Sequence, residues 1–156
     1  MADVFTCHLE WSGASGGPTR DAASYSRDLD TSVAGLRVPM SAAPGSRGDA
    51  SRANPEQLLV ASLSACQALT YLFVAAKHGV PIAGYSDDAD GHLTVVDGRI
   101  RMGRVSLHPR IALVSREHEQ QAHALVDEAH RQCIIANSVQ VRLDIEPTFV
   151  LAEASS

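Results

Sequence analysis

The chain has 156 residues, 45% of them apolar, with a net charge of −5 and a pI near 5.7. A chain of this size and composition folds around a real core, burying roughly two thirds of its unfolded surface, so intrinsic disorder is excluded. The 13 cations are 12 Arg and the single Lys77, they form no basic cluster, and aromatic residues are few, so nucleic-acid binding finds no support.

Residues Met1–Phe5 carry neither the basic nor the apolar region of a secretory leader, which points to a cytoplasmic protein with reduced cysteines. Phe5, Cys7, Leu9 and Trp11 alternate with polar residues, predicting a half-buried strand with Cys7 on its core face. A Gly/Ser-rich turn follows at 12–18. Two short strands are expected between Tyr25 and Val38, broken at Gly35, then a polar loop over 41–52.

Asn54-Pro55-Glu56-Gln57 has an N-cap, a first-turn proline and capping-box spacing, so a long helix starts there and stops at Gly79. Gln57–Ala76 is uncharged and long enough to span a bilayer, but it carries Gln67, Thr70, Ser62 and Ser64 and lacks aromatic or basic flanks. We therefore expect a central helix buried on most sides and no membrane association.

Asp97-Gly98 marks a hairpin between 92–96 and 99–101. Val105, Leu107, Ile111 and Leu113 keep a period of two through His108-Pro109, where the proline suggests an edge or a bulge. A second helix is expected from about Ser115 to Cys133, with Ala122, Leu125, Val126, Ala129 and Cys133 on its core face. A last strand alternates from Val139 to Glu146. The order β-β-β-α-β-β-β-α-β implies an α+β fold with antiparallel sheets around two long helices. The expected organisation is one domain over residues 1–150 and a loose tail over 151–156.

The chemistry centres on two thiols. Cys66 sits mid-helix, twelve residues past the Asn54 cap and roughly 18 Å from it along the axis, beyond the reach of the helix dipole. Burial opposes ionisation, so a reactive Cys66 needs a cation from elsewhere. Otherwise it is a buried hydrophobe. Arg47, just upstream, is one candidate, with Arg52, Arg37 and Arg20 as competitors that spacing does not separate. Glu56 lies in the first helical turn, where the dipole favours a carboxylate in any case. Cys133 reads as a resolving thiol or as core packing. A metal site using His130, Cys133 and Cys66 lacks the spacing that zinc requires.

Two stretches carry a resemblance. Asn54-Pro55-Glu56-Gln57-Leu58-Leu59 with Ala65-Cys66 ten residues after the glutamate, and Ala129-His130-Arg131-Gln132-Cys133, resemble the OsmC/Ohr family of osmotically inducible and organic-hydroperoxide-resistance proteins. The resemblance covers nearly the whole order of elements. It implies an OsmC-like intertwined homodimer working as a cysteine-dependent peroxidase without a cofactor. Cys66 would be the peroxidatic thiol, Cys133 the resolving thiol, and Glu56 the holder of a catalytic arginine. Arg47 best matches that arginine in the OsmC branch, and Arg20 in the Ohr branch. The family often has proline after the second cysteine, where this chain has Ile134.

The expected activity is reduction of organic hydroperoxides through a Cys66 sulfenic acid and a Cys66–Cys133 disulfide. Re-reduction would come from a dithiol, which the family suggests is a lipoyl-bearing protein. The alternatives are a thiol redox sensor that does not turn over, and a structural dimeric domain with inert core cysteines. Glu56 and Cys66 are about 15 Å apart along one helix and about 80° apart around it. One Arg47 side chain hardly bridges them within a chain. Two antiparallel copies of the helix, crossing near Ala61, would bring Glu56 of one subunit towards Cys66 of the other.

Overall fold

The structure, a computed structural model, describes residues 3–153, and the chain divides into two compact units, Met1–Leu58 and Leu59–Ser156. The first unit is an antiparallel sheet of β1 (Cys7–Glu10), β2 (Leu29–Val33) and β3 (Leu36–Met40). β2 turns into β3 through Ala34 and Gly35, both at positive φ, the two-residue turn that matches strand twist. Between β1 and β2, Trp11 Nε1 donates to the Ser26 carbonyl (2.8 Å). The expected core face of β1 is not realised in the single chain. All four of its residues are exposed, Cys7 among them, so among the described residues nothing covers that face of the strand.

Helix α1 (Pro55–Lys77) begins as its sequence dictates. Asn54 Oδ1 accepts from the Gln57 N–H (2.8 Å), and Gln57 Oε1 accepts from the Asn54 N–H (3.0 Å). The two side chains thus close a reciprocal capping box. At the other end Gly79 takes positive φ and stops the helix.

In the second unit, β4 (Ile82–Asp87), β7 (Pro109–Leu113) and β9 (Thr148–Leu151) form one sheet, and β5 (Asp90–Val96), β6 (Arg99–Leu107) and β8 (Arg142–Ile145) another. The antiparallel expectation holds for β4–β7 and β5–β6, whereas β7–β9 and β6–β8 are parallel. The reason is visible in the chain path. β6 passes into β7 at His108-Pro109, and β8 passes into β9 at Glu146-Pro147, so two matching steps between the sheets run side by side. The Glu146 N–H bonds the Leu107 carbonyl (2.9 Å) where they meet. Pro109 is therefore not on an edge. It opens the central strand of its sheet, at the first position, where a missing N–H is tolerated. β9 has no counterpart in the sequence reading, and its last residue, Leu151, falls in the expected tail. Residues 154–156 of that tail lie outside the described residues.

Helix α2 (Glu119–Gln132) and the short α3 (Ile134–Ser138) replace the single expected helix. Ala122, Leu125, Val126 and Ala129 of α2 pack with Tyr71, Val74 and Ala75 of α1 and with Ile111 and Leu113 of β7. Leu63 of α1 packs instead with Val105 and Leu107 of β6. Leu63, Gln67, Tyr71, Val74 and Ala75 are thus the buried stripe of α1. The rest of the helix departs from expectation. Only 28% of its most apolar stretch is buried in the chain, although in length and composition it could cross a bilayer. Leu69 is 71% and Phe73 64% exposed, and Ala61 and Ala65 are exposed with them.

Candidate active site

The packing of α1 on α2 sets what faces what. Gln67 Nε2 donates to the Val126 carbonyl (3.3 Å), and one turn on Tyr71 Oη donates to the Ala122 carbonyl (3.2 Å). Two side chains one turn apart meet two carbonyls one turn apart, an antiparallel register that carries the end of α2 towards the middle of α1. There the half-buried Cys66 and the fully buried Cys133 come together as free thiols, each perturbing the ionisation of the other.

Cys133 occupies the break between α2 and α3. Its N–H still bonds the His130 carbonyl (3.2 Å), but its backbone is extended (φ −68°, ψ 111°), and its carbonyl accepts the Asn137 N–H (3.0 Å) to start α3. The break frees the first N–H groups of α3, which have no partners inside a helix. Those of Ile134 and Ile135 favour the ionised Cys66, and those of Ile135 and Ala136 the ionised Cys133.

The two thiols are driven apart electrostatically. Burial raises Cys66, but the Ile135 N–H, the Cys133 S–H, the Ile134 N–H and the Thr70 hydroxyl together outweigh it and hold Cys66 below its ordinary value. Cys133 is pushed up to about 11, by burial first and then by the neighbouring Cys66 sulfur, against the Ala136 and Ile135 N–H groups. Of the pair, Cys66 is thus the thiol that ionises more readily and Cys133 the one that keeps its proton. From the sequence, an ionised Cys66 needs a cation, with no helix end of α1 within reach. The helix break at Cys133 is unannounced there, because Gln132-Cys133-Ile134 contains neither glycine nor proline to mark one. Thr70 was within reach of spacing alone, one turn along α1 from Cys66.

The other expected residues sit in the first unit and are not joined to each other. Arg47 is exposed at positive φ, and its Nη1 donates to the Ala23 carbonyl (2.9 Å). Glu56 Oε2 is buried without a hydrogen-bond partner among the described residues, and no ion pair links it to Arg47 there. Of the competing cations, Arg52 pairs with Asp28, Asp30 and Asp49, Arg37 pairs with Asp30, and Arg20 is exposed. His130, weighed as a metal ligand, belongs to no cluster able to hold a metal among the described residues.

A family model described as OsmC-like protein matches residues 48–148, a span that contains Glu56, Cys66 and Cys133. The chain belongs to the OsmC-like family. An OsmC-like protein of unknown function from Vibrio cholerae shares its fold at TM-score 0.85 and 27% identity, over 94% of this chain and all of the other. An organic hydroperoxide resistance protein from Legionella pneumophila is 20% identical, with TM-score 0.68 over 96% of this chain and all of the other. The organic hydroperoxide resistance protein OhrB of Bacillus subtilis is 22% identical, with TM-score 0.65 over 92% of this chain and 98% of the other. No curated protein matches the chain in sequence.

In this OsmC-like protein the N–H of residue 134 has a checkable consequence. The extended Cys133 backbone suits a residue preceding proline, and residue 134 is the first of its helix, where proline fits. Ile134→Pro should therefore remove one donor to the Cys66 sulfur while keeping the fold. A hydrogen bond to a charged group contributes about 1.5 kcal/mol or more, so alkylation of Cys66 at pH 7 should slow roughly tenfold, with the midpoint of its pH profile moved upward. Ile134→Ala, which keeps the N–H, should behave as wild type. Equal profiles for the two variants, followed by mass spectrometry of the Cys66 peptide, would remove the amide from the site.

Proposed function

We propose that this OsmC-like protein is a thiol peroxidase that reduces organic hydroperoxides. The observation that carries the reading is the Cys66–Cys133 contact, in which one thiol is lowered and its partner raised. The Cys66 thiolate attacks the distal peroxide oxygen. A sulfur–oxygen bond forms, the oxygen–oxygen bond breaks, and the leaving alkoxide takes a proton from solvent. Cys133 then displaces water from the Cys66 sulfenic acid, giving a disulfide. An external dithiol reduces that disulfide by exchange, and a lipoyl-bearing protein in the cytoplasm is the form of reductant we propose. The apolar helix that carries Cys66 favours organic peroxides over hydrogen peroxide.

The working unit in this proposal is a homodimer with shared sites, in which Glu56 of one chain and Cys66 of the partner subunit serve one centre, with Arg47 held by Glu56. Three features support it. Among the described residues, a buried Glu56 oxygen lacks a partner, Arg47 is tied only to a backbone carbonyl, and the long apolar face of α1 is uncovered in the single chain. Leu69, Phe73, Ala61 and Ala65 give a second copy of α1 a surface that hydrophobic burial would favour.

The test is the consumption of cumene and tert-butyl hydroperoxides with dihydrolipoamide in excess. Many equivalents consumed per chain is the expected result. Consumption that stops at a single equivalent per chain would make the protein a sensor, and none at all would leave its cysteines structural.

A further inference from the structure

We propose that the solvent face of β5, β6 and β8 carries a binding site for a phosphate group, free or borne by a small molecule, centred on Arg104. The strand register sets three cationic residues side by side. His92 of β5 lies opposite Arg104 of β6, and Arg104 lies opposite Arg142 of β8. The next pair on the same face, Thr94 and Arg101, adds a further cation. All of these residues are exposed. The other face of β6 packs Val105 and Leu107 on Leu63 of α1, so the cationic row is turned away from the helix that carries Cys66.

Like charges directly opposite one another in a sheet are destabilising, and the chain compensates only the outer two members of the row. Arg142 Nε donates to Asp144 Oδ1 (2.9 Å), two residues along β8, and His92 Nε2 meets Asp90 Oδ1 (2.6 Å), two residues along β5. The matching position on β6, two residues along from Arg104, is the uncharged Ser106, opposite both aspartates. Among the described residues neither Arg104 nor Arg101 has a carboxylate partner. In a chain of net charge −5 this is a local excess of positive charge, which a bound anion would complete.

A bulge shapes the surface around Arg104. The register shifts between His92 and Leu93, which leaves Gly103 as the extra residue on β6, and bulges of this kind re-aim neighbouring side chains. The Thr94 side chain lies against Gly103, where a Cβ would come within 2.3 Å of Thr94 Cγ2. What remains is a depression of about 360 Å³ with His92, Thr94, Gly103, Arg104 and Arg142 in its lining. That volume is in the range of small-ligand clefts, and a lining of arginine, histidine and threonine suits an anion. Arg104 presents a whole planar fork of donors, and Arg142 keeps both Nη groups beyond the Nε it gives to Asp144. Two adjacent forks match the several oxygens and double charge of a phosphate better than a single carboxylate. Arginines that are merely solvated would attract every anion alike, and salt would screen that attraction.

The experiment is equilibrium dialysis of the full-length, reduced protein against radiolabelled inorganic phosphate, with ionic strength held constant by sodium chloride. Saturable binding of one phosphate per chain is expected. Arg104→Gln should weaken it by about tenfold or more. Arg104→Lys, which keeps the charge without the fork, should recover only part of that loss. Competition then separates the two sources of the group. Glycerol phosphate displacing the label more strongly than unlabelled phosphate assigns the site to a phosphate monoester, and weaker displacement assigns it to free phosphate. Acetate should displace little of it. Should Arg104→Gln fail to fold by circular dichroism, Arg104→Lys becomes the deciding variant, with weakened binding expected. Binding that does not saturate, that the deciding variant leaves unchanged, or that acetate displaces as readily as phosphate overturns the proposal. No peroxide enters the experiment, so its outcome is independent of the peroxidase reading.

Discussion

Cys66→Ser should abolish hydroperoxide turnover, and Cys133→Ser should consume a single equivalent of peroxide per chain and stop. The asymmetry follows from the donors around the pair. Four groups support negative charge on Cys66, whereas Cys133 is pushed up to about 11 and faces the Cys66 sulfur as a protonated thiol. Serine at position 66 has no nucleophile at neutral pH, so activity should fall to the uncatalysed level. Serine at 133 leaves the first step intact but cannot close a disulfide, and the sulfenic acid should accumulate, trappable with dimedone at Cys66. The pH dependence carries the same sign. Alkylation of Cys66 should level off at lower pH than that of Cys133, which should still be rising near pH 11. Sustained dithiol-dependent turnover by Cys133→Ser at the wild-type rate would remove Cys133 from the mechanism.

Mixing two inactive variants should restore activity. In the proposed dimer a Cys66→Ser chain still offers Glu56, and a Glu56→Ala chain still offers Cys66. The heterodimer therefore holds one site with both native residues and one with neither. Roughly half of wild-type activity per dimer is expected, against the near-absence of it in either parent, because catalytic groups that act as a unit fail together. Subunit exchange would be confirmed by native mass spectrometry of differently tagged chains. No recovery after confirmed exchange, or a monomer at micromolar concentration, would place Glu56 and Cys66 in separate roles. Glu56 would then serve only the N-terminus of α1, where a carboxylate is at home.

The elements fixed by local chemistry were readable in the sequence. Asn54 and Gln57 form their capping box, Gly35 separates two strands, Asp97-Gly98 turns at positive φ, and Val105, Leu107, Ile111 and Leu113 are all buried as their period of two requires. Each of these depends on residues a few positions apart, whose identity sets the backbone geometry. The stripe Ala122, Leu125, Val126, Ala129 and Cys133 was legible for the same reason. What the sequence could not supply depends on partners distant along the chain. The parallel pairing of β6 with β8 and of β7 with β9 arises from two proline-marked steps lying side by side, 38 residues apart. The exposure of Cys7 depends on what packs on that face of β1, which alternation does not encode. Above all, the electrostatics of Cys66 were decided in three dimensions. Its own helix offers one hydroxyl, and the remaining donors arrive from a break at Cys133 that no turn-forming residue announces. A thiol's ionisation is set by whatever groups surround it in space, so the sequence could name the two cysteines, while only the packing of α1 against α2 and α3 made them different.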